Sequence, residues 1–279
     1  MKFTKMQGCG NDYVYINGFT EKISQEKKPE IVRKISDRHF GIGSDGAIFI
    51  NPAMTADFEM EMYNADGTRS EMCGNGIRCV GKYVYDHFMT EQTEITVVSA
   101  GKVKYLSLSL ENGLVSRVRV NMGAPILDAP LIPVINETSP VVDEPIIVED
   151  KEYKMTCVSM GNPHAVVFVD DVEHLDINAV GPYFENHKRF PNRVNTEFVQ
   201  VIDKNHISMR VYERGTGETL ACGTGCCASV VACILNGKTD TDVFVSVLGG
   251  EIEVEWNREE NQTYMTGPAE TVFEGDIDV

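Results

Sequence analysis

Two cysteines, Cys73 and Cys222, stand in closely similar surroundings that would suit acid–base chemistry. Tyr63–Gly76 reads YNADGTRSEMCGNG, and Tyr212–Gly225 reads YERGTGETLACGTG, at a constant offset of 149 residues. Each segment runs from a tyrosine to Cys-Gly-x-Gly, directly before a predicted helix. The start of a helix binds anions through its unbonded N–H groups and lowers the pKa of a thiol placed there. We therefore expect one polarised thiol and one carboxylate-binding or phosphate-binding turn in each segment.

The similarity extends along the chain and indicates an internal duplication. The 149-residue offset also takes Gly46–Ile50 (GAIFI) onto Asn195–Val199 (NTEFV). Further upstream, Gly10-Asn11-Asp12 resembles Gly161-Asn162-Pro163 at an offset of 151. Three features recur in the same order at nearly the same spacing, so the sequence predicts two homologous halves of about 130 residues each.

The predicted elements of each half are several strands and a helix after Cys-Gly-x-Gly. The helices run from about Asn75 to His87 and from about Thr224 to Leu235, and the second is apolar enough to be buried on every side. Alternating strand-like runs lie at Val103–Leu110, Leu114–Asn121, Ala165–Val169, Phe198–Ile202, Ile207–Tyr212 and Val243–Leu248. These patterns predict an α/β fold of the α+β type, with two pseudo-symmetric domains that each wrap a β-sheet or barrel around a central helix. We place the first domain at 1–120 plus 267–279 and the second at 121–266, with long loops in 121–150 and the active site in the cleft between the domains.

Two matched thiols predict a particular reaction. A pseudo-twofold pairing of the halves would bring both thiols to opposite sides of one anionic ligand. One thiolate could then remove a proton from a carbon next to a carboxylate while the opposite thiol delivers one to the other face. The two helix starts would stabilise the charge that develops on the carboxylate. This scheme for stereoinversion requires no cofactor.

Composition and motif spacing argue against several classes of partner and ligand. The net charge of −17 argues against nucleic acid and against anionic membrane surfaces as partners. The chain shows no export signal and no stretch long enough to span a membrane, so we expect a cytoplasmic protein with thiols rather than disulfides. Cys222 and Cys226 fit C-x3-C, but no H-x3–5-H pair accompanies them, and we expect no metal. Gly41–Gly46 is a formal G-x-G-x-x-G between a predicted helix (Pro29 to His39) and a strand, which is the inverse of the dinucleotide-binding context, so we expect a turn there.

Longer segments resemble a known family. KMQGCGNDYV, YNADGTRSEMCGNGIRC, SMGNPHAVVFVDD, RVNTEFVQV, YERGTGETLACGTG and YMTG are similar to diaminopimelate epimerase, and the resemblance runs from Phe3 to about Phe273. It implies a fold shared with proline racemase and with phenazine-biosynthesis isomerases. It also implies interconversion of LL- and meso-2,6-diaminopimelate by two cysteines, without cofactor or metal, in lysine and peptidoglycan-precursor synthesis. A homodimer is plausible from the resemblance alone.

The resemblance assigns roles residue by residue. Cys73 and Cys222 match the acid/base pair, Arg214 is expected to reach the distal carboxylate, and His164 matches a histidine near the pair. The positions that match substrate-binding residues are Asn11, Asn64, Gly74, Asn75, Asn162, Asn195, Glu213, Arg214, Gly223 and Thr224. Some family members carry glutamine where this chain has Gly46, so one substrate contact is absent or replaced by water.

Plainer interpretations stay open at this point. The asparagines could be turn residues, Glu213 and Arg214 could be a solvated pair, and we expect the other six cysteines to pack in the interior. A proline or hydroxyproline racemase of the same fold is the first rival function. A thiol redox or metal-binding protein is the second.

Overall fold

The computed structural model describes residues 1–70 and 73–279, which divide into two units. The first unit comprises residues 1–120 and 267–279, and the second comprises residues 121–266. Glu71 and Met72, inside the first copy of the repeat, lie outside the described residues. No helix in the described part of the chain is long and apolar enough to cross a membrane.

Most elements follow one another along the chain with short connections, and a long one lies between Gly123 and Glu144. Up to the middle of the chain they are β1 (Lys2–Gly8), β2 (Asn11–Asn17), α1 (Lys28–Ser36), β3 (Gly46–Pro52), β4 (Phe58–Asn64), β5 (Arg69–Ser70), α2 (Gly74–Asp86), β6 (Glu94–Ser99), β7 (Lys102–Glu111) and β8 (Leu114–Gly123). After a short 3-10 helix at Ala129–Leu131 come β9 (Glu144–Val148), β10 (Lys151–Ser159), β11 (Pro163–Phe168), α3 (Ile177–Glu185), β12 (Asn195–Val201), β13 (His206–Glu213), β14 (Gly217–Thr219), α4 (Gly223–Leu235), β15 (Asp242–Val247), β16 (Gly250–Asn257), β17 (Gln262–Pro268) and β18 (Glu270–Asp276).

Strand pairing follows one pattern in both units. In the first unit β18, β1 and β2 are antiparallel, β2 and β3 parallel, β3 and β4 antiparallel, and β4 and β6 parallel, followed by antiparallel β7 and β8. In the second unit β9 to β11 are antiparallel, β11 and β12 parallel, β12 and β13 antiparallel, and β13 and β15 parallel, followed by antiparallel β16 and β17. In the parallel pairs, His164 lies opposite Asn195, and Tyr13 lies opposite Gly46. His164 is therefore the counterpart of Tyr13 in the first unit. The predicted α+β fold with an internal repeat is confirmed.

The helix that follows each cysteine is the central helix of its unit. α4 packs against β10, β11, β12, β13, β15 and β16, and most of its residues are buried, as its apolar sequence predicts. α2 packs against β1, β2 and β7. At Gly81 of α2, a side chain would meet Leu106, Leu108 and Val118, so this glycine lets the helix lie close to the sheet.

A second helix covers the other side of the strands in each unit. Val32 and Ile35 of α1 join the cluster that contains Phe49, while Phe184 of α3 packs edge-on against Phe198. Strands β2, β3, β11 and β12 are consequently buried over continuous runs, as is typical of strands covered on both faces. The pattern predicts α1 but not α3, whose nine residues include Pro182, a residue that indicates a turn or a helix end.

Candidate active site

Cys73 is the N-cap residue of α2, and its thiol forms hydrogen bonds with Gly76 and Asn11. Its backbone is extended (φ −128°, ψ 117°), so the chain enters the helix at this residue. Its Sγ accepts from Gly76 N over 3.3 Å, which satisfies one of the N–H groups that the start of a helix leaves without a partner. The thiol donates to Asn11 Oδ1 over 3.0 Å. The contact with an oxygen acceptor is that of a protonated thiol.

The orientation of the Asn11 amide is set by an acidic neighbour. Asn11 Nδ2 donates to Asp45 Oδ2 over 2.7 Å, and Arg38 holds Asp45 Oδ1 over 2.9 Å. An ionised carboxylate only accepts hydrogen bonds, so the amide nitrogen must face Asp45. The carbonyl end of Asn11 is left to face Cys73.

The first turn of α2 contains two further predicted residues, Gly74 and Asn75, which are both buried. The fully buried Arg78 donates from Nη1 to Gly74 O over 3.3 Å and from Nε to Pro268 O over 3.1 Å. Arg78 therefore links the first turn of α2 to Pro268. Asn64 lies at the end of β4, opposite Gly46, and its Nδ2 donates to Thr68 Oγ1 over 3.0 Å.

Cys222 is the N-cap residue of α4 in the same extended conformation (φ −118°, ψ 109°). Its Sγ lies 3.5 Å from Thr224 Oγ1. The first intrahelical bond of α4 runs from Cys226 N to Cys222 O, so the N–H groups of Gly223 and Thr224 have no acceptor within the helix. An anion-binding turn at this helix start, as predicted from the sequence, would use these N–H groups.

The expectation that the helix start lowers the thiol pKa is wrong for Cys222. Burial raises the pKa of the Cys222 thiol well above its ordinary value, and the nearby carboxylates of Glu213 and Glu197 raise it further. Hydrogen bonds from Thr224 and the Gly225 backbone act in the opposite direction and are weaker. Burial also raises the pKa of Glu213, although Thr219 Oγ1 donates to Glu213 Oε1 over 2.5 Å. The tertiary environment outweighs the helix start because desolvation disfavours a charged sulfur.

A line of hydrogen bonds joins Thr224 to two fully buried residues. Asn162 Nδ2 donates to Thr224 Oγ1 over 3.3 Å, and Asn162 Oδ1 lies 3.0 Å from His164 Nε2. His164 Nδ1 lies 2.7 Å from Glu197 Oε1. The second unit thus places His164, Asn162, Thr224 and Cys222 in one connected group.

The turn that carries Arg214 is held by its backbone. Asn195 Oδ1 accepts from Arg214 N over 3.0 Å, and Asn195 Nδ2 donates to Pro163 O over 2.9 Å. The mostly buried Glu185 accepts from Gly215 N over 2.8 Å. The Arg214 guanidinium donates to Asn192 O over 3.1 Å and has no carboxylate partner within residues 1–70 and 73–279. Its charge is therefore available to an anionic ligand.

Comparison with known proteins identifies the family. The sequence model described as diaminopimelate epimerase matches residues 3–127 and 156–272. A curated relative named diaminopimelate epimerase, from Agathobacter rectalis, is 57% identical over 286 residues, which cover 100% of both chains. The chain belongs to the diaminopimelate epimerase family. It is accordingly an isomerase.

Solved structures show that the fold of this family is shared more widely. A phenazine biosynthesis protein of the PhzF family from Bacillus anthracis matches with a TM-score of 0.72 at 15% identity, over 100% of this chain and 99% of that one. A hydroxyproline epimerase from Agrobacterium vitis matches with a TM-score of 0.65 at 15% identity, over 99% and 90%. At these identities the likeness concerns the fold alone.

The sequence patterns assign no role to four residues that support the site. Asp45 holds Asn11, Arg78 holds Gly74, Glu197 holds His164, and Glu185 holds Gly215, the neighbour of Arg214. For Glu197 a signal exists, because it is a carboxylate in the middle of the buried strand β12, two residues after Asn195 and therefore on the same face. For Asp45, which lies in an ordinary loop, we see no such signal.

Proposed function

We propose that this isomerase interconverts LL- and meso-2,6-diaminopimelate, with Cys73 and Cys222 as the acid/base pair. The observation that carries the proposal is the repetition of one arrangement. In each unit a cysteine caps a central helix whose first turn reads Gly-x-Gly. Family membership supplies the substrate, and the repeated cap supplies the two chemically alike groups that a reversible inversion requires.

The proposed reaction transfers one proton off and one proton onto the same carbon. A thiolate takes the α-hydrogen as a proton, and its electron pair stays on the α-carbon and its carboxylate. The opposite thiol then gives its proton to the other face of the carbon and becomes the thiolate. Nothing is oxidised or reduced, and one turnover exchanges the protonation states of the two sulfurs, so the reverse reaction is equally possible.

The two helix starts would stabilise the negative charge that forms during the reaction. Gly74 and Asn75 in one unit, and Gly223 and Thr224 in the other, lie at the positive ends of helix dipoles. Donors aimed at the carboxylate stabilise the carbanion more strongly than they stabilise the substrate. This difference lowers the barrier to proton removal.

Residues of the second unit would select the substrate. Arg214 suits the distal carboxylate, because a guanidinium pairs with a carboxylate through two parallel hydrogen bonds. Proline and hydroxyproline have no distal carboxylate, so Arg214 disfavours the racemase alternative. We further propose that the enzyme works in the cytoplasm as a homodimer, without cofactor or metal, in lysine and peptidoglycan-precursor synthesis.

Deuterium incorporation tests the proposal. Protein incubated with LL-diaminopimelate in D2O is expected to place deuterium at the α-carbon and to form the meso isomer. Cys73→Ala and Cys222→Ala should each abolish epimerisation, whereas Cys233→Ala, another buried thiol of α4, should retain it. Epimerisation by either catalytic variant at the wild-type rate would refute the mechanism, and racemisation of proline in place of diaminopimelate would favour the rival.

A further inference from the structure

Glu197 and His164 form a buried polar pair that has no equivalent at the matching positions of the first unit. Both side chains are fully buried, and Glu197 Oε2 has no hydrogen-bond partner among the residues that the structure describes. A buried oxygen without a partner reduces stability. The first unit has the same strands in the same register, and there the counterparts are Tyr13 and Ile48. An isoleucine therefore suits the position that Glu197 occupies.

The pair fixes the direction of the hydrogen bonds that lead to Cys222. Asn162 donates through Nδ2 to Thr224, so its Oδ1 faces His164 and requires a proton on Nε2. One further proton is shared between His164 Nδ1 and Glu197 Oε1, 2.7 Å apart. Whichever of the two atoms carries it, the pair is neutral as a whole and Nε2 stays protonated. Glu197 thus determines the tautomer of the histidine.

The last contact in this series of hydrogen bonds reaches the Cys222 thiol. Thr224 Oγ1 accepts from Asn162, and its single hydrogen is then directed away from the Asn162 amide. Cys222 Sγ lies 3.5 Å from this hydroxyl, within reach of a bond to sulfur. A hydroxyl that donates to sulfur stabilises a thiolate. Cys73, in contrast, donates to the carbonyl of Asn11.

We propose that Glu197 is a positioning residue that acts on Cys222 alone, by holding His164 and Asn162 so that the Thr224 hydroxyl points at the thiol. The proposal rests on the proposed function, because the Cys222 thiol must exchange protons with the substrate. It gives the two thiols different hydrogen-bond surroundings although their helix caps are alike.

Glycine packing supports the assignment. A side chain at Gly225 would lie 2.7 Å from Glu197 Oε1, so the carboxylate group is packed directly against the first turn of α4. At the counterpart Gly76, the corresponding neighbour is the Ile48 Cδ1 methyl, at 2.8 Å. The same space under the cysteine cap is filled by a polar group in one unit and by an apolar group in the other.

Exchange of the α-hydrogen with D2O separates the two thiols. A thiol that faces the α-hydrogen can exchange it without inversion, so each diastereomer reports on one thiol. Cys222→Ala identifies which of LL- and meso-diaminopimelate depends on Cys222. Glu197→Ile, the residue of the first unit, is then expected to slow exchange of that diastereomer about tenfold to 100-fold and to change the other less than about threefold.

Matched variants complete the test. Glu197→Gln keeps a hydrogen bond to His164 Nδ1 and should retain exchange within about threefold, as should Ile48→Val in the first unit. Equal slowing of both diastereomers by Glu197→Ile, or no slowing in folded protein, would overturn the assignment. Wild-type protein that exchanges neither diastereomer would instead overturn the proposed function, and with it this assignment.

Glu197→Asp carries the test if the isoleucine variant does not fold. It keeps a carboxylate but shortens the side chain, so the contact that Glu197 Oε1 makes with His164 Nδ1 is lost. Exchange of the Cys222-dependent diastereomer should then be slower than in Glu197→Gln, and exchange of the other diastereomer should not. Equal rates for the aspartate and glutamine variants, or equal slowing of both diastereomers, would overturn the proposal.

Discussion

Asn11 Nδ2 donates to Asp45 Oδ2 over 2.7 Å, and this bond determines which end of the Asn11 amide meets the thiol of Cys73. The two ends of an amide are similar in shape, so only its hydrogen-bond partners hold it in one orientation. Asp45 is in turn held by Arg38. A carboxylate that does not touch the thiol therefore decides whether the thiol meets an acceptor or a donor.

Asp45→Ala is expected to lower kcat about tenfold, because the amide can then turn and present its nitrogen to Cys73. The Asp45 side chain is 39% exposed, so the unfolding free energy should change little. Steady-state kinetics and urea unfolding would measure the two effects. Asp57→Ala is the control, since it removes another exposed carboxylate that accepts from a backbone N–H, that of Thr96. Equal kinetics for both variants would contradict the role of Asp45.

Local features of the site can be predicted from sequence, whereas its supports cannot. The cysteine caps and the glycine turns occupy a few consecutive residues, so their spacing reveals them. Asp45 and Asn11 are 34 residues apart, and Glu197 and His164 are 33 apart. These partners meet only through the parallel pairing of β2 with β3 and of β11 with β12.

The pKa of Cys222 illustrates the same limit. The helix start that lowers a thiol pKa is visible in the sequence, because it depends on the residues that follow. Burial and the carboxylates of Glu213 and Glu197, which raise the pKa, come from other strands. The sequence pattern therefore predicts the position of the thiol correctly and the direction of its pKa shift wrongly.

Arg214→Met should lower kcat/KM for diaminopimelate roughly 10- to 150-fold, since a hydrogen bond to a charged group contributes about 1.5–3 kcal/mol. The fold should persist, because the turn is held through the Arg214 backbone by Asn195. Initial rates at varied substrate concentration would give the ratio. Arg193→Met, which removes a nearby guanidinium paired with Glu185, is the matched control and should have a smaller effect. A loss as large for Arg193→Met would contradict the assignment of the distal carboxylate to Arg214.

The buried thiols should make the protein less stable at alkaline pH. Burial raises the pKa of Cys157 from 9.0 to about 12. A raised pKa contributes stability that is fully present below pH 9 and is lost as the pH rises towards 12, because the unfolded chain ionises first. Between pH 8 and pH 10 this one thiol accounts for a loss of about 1.4 kcal/mol.

Cys157→Val removes the titrating group and should reduce the alkaline loss of unfolding free energy by that amount. Urea unfolding of both proteins at pH 8 and pH 10 would measure the difference, since lysines and tyrosines titrate alike in the two chains. Cys73→Val, at a half-buried cysteine, is the comparison variant, and it should reduce the alkaline loss of unfolding free energy by a smaller amount. An unchanged difference between the two pH values for Cys157→Val would show that its thiol is not desolvated in the folded protein.

Alanine at the two matched glycines should affect the units differently. At Gly76 the new Cβ meets the terminal methyl of Ile48, which can turn aside, and alanine favours the helix, so the unfolding free energy should change by less than about 1 kcal/mol. At Gly225 the new Cβ meets Glu197 Oε1, which the bond to His164 holds in place. Gly225→Ala should therefore cost about 1–3 kcal/mol of stability.

The same pair of variants should separate in activity. Displacement of Glu197 by Gly225→Ala would break its contact with His164, and exchange of the Cys222-dependent diastereomer should fall further than stability alone explains. Gly76→Ala leaves this chain of hydrogen bonds intact. Urea unfolding and D2O exchange on both variants would measure the contrast. Equal losses at the two glycines would mean that the Glu197 carboxylate is no more constrained than the Ile48 methyl group at the matching position.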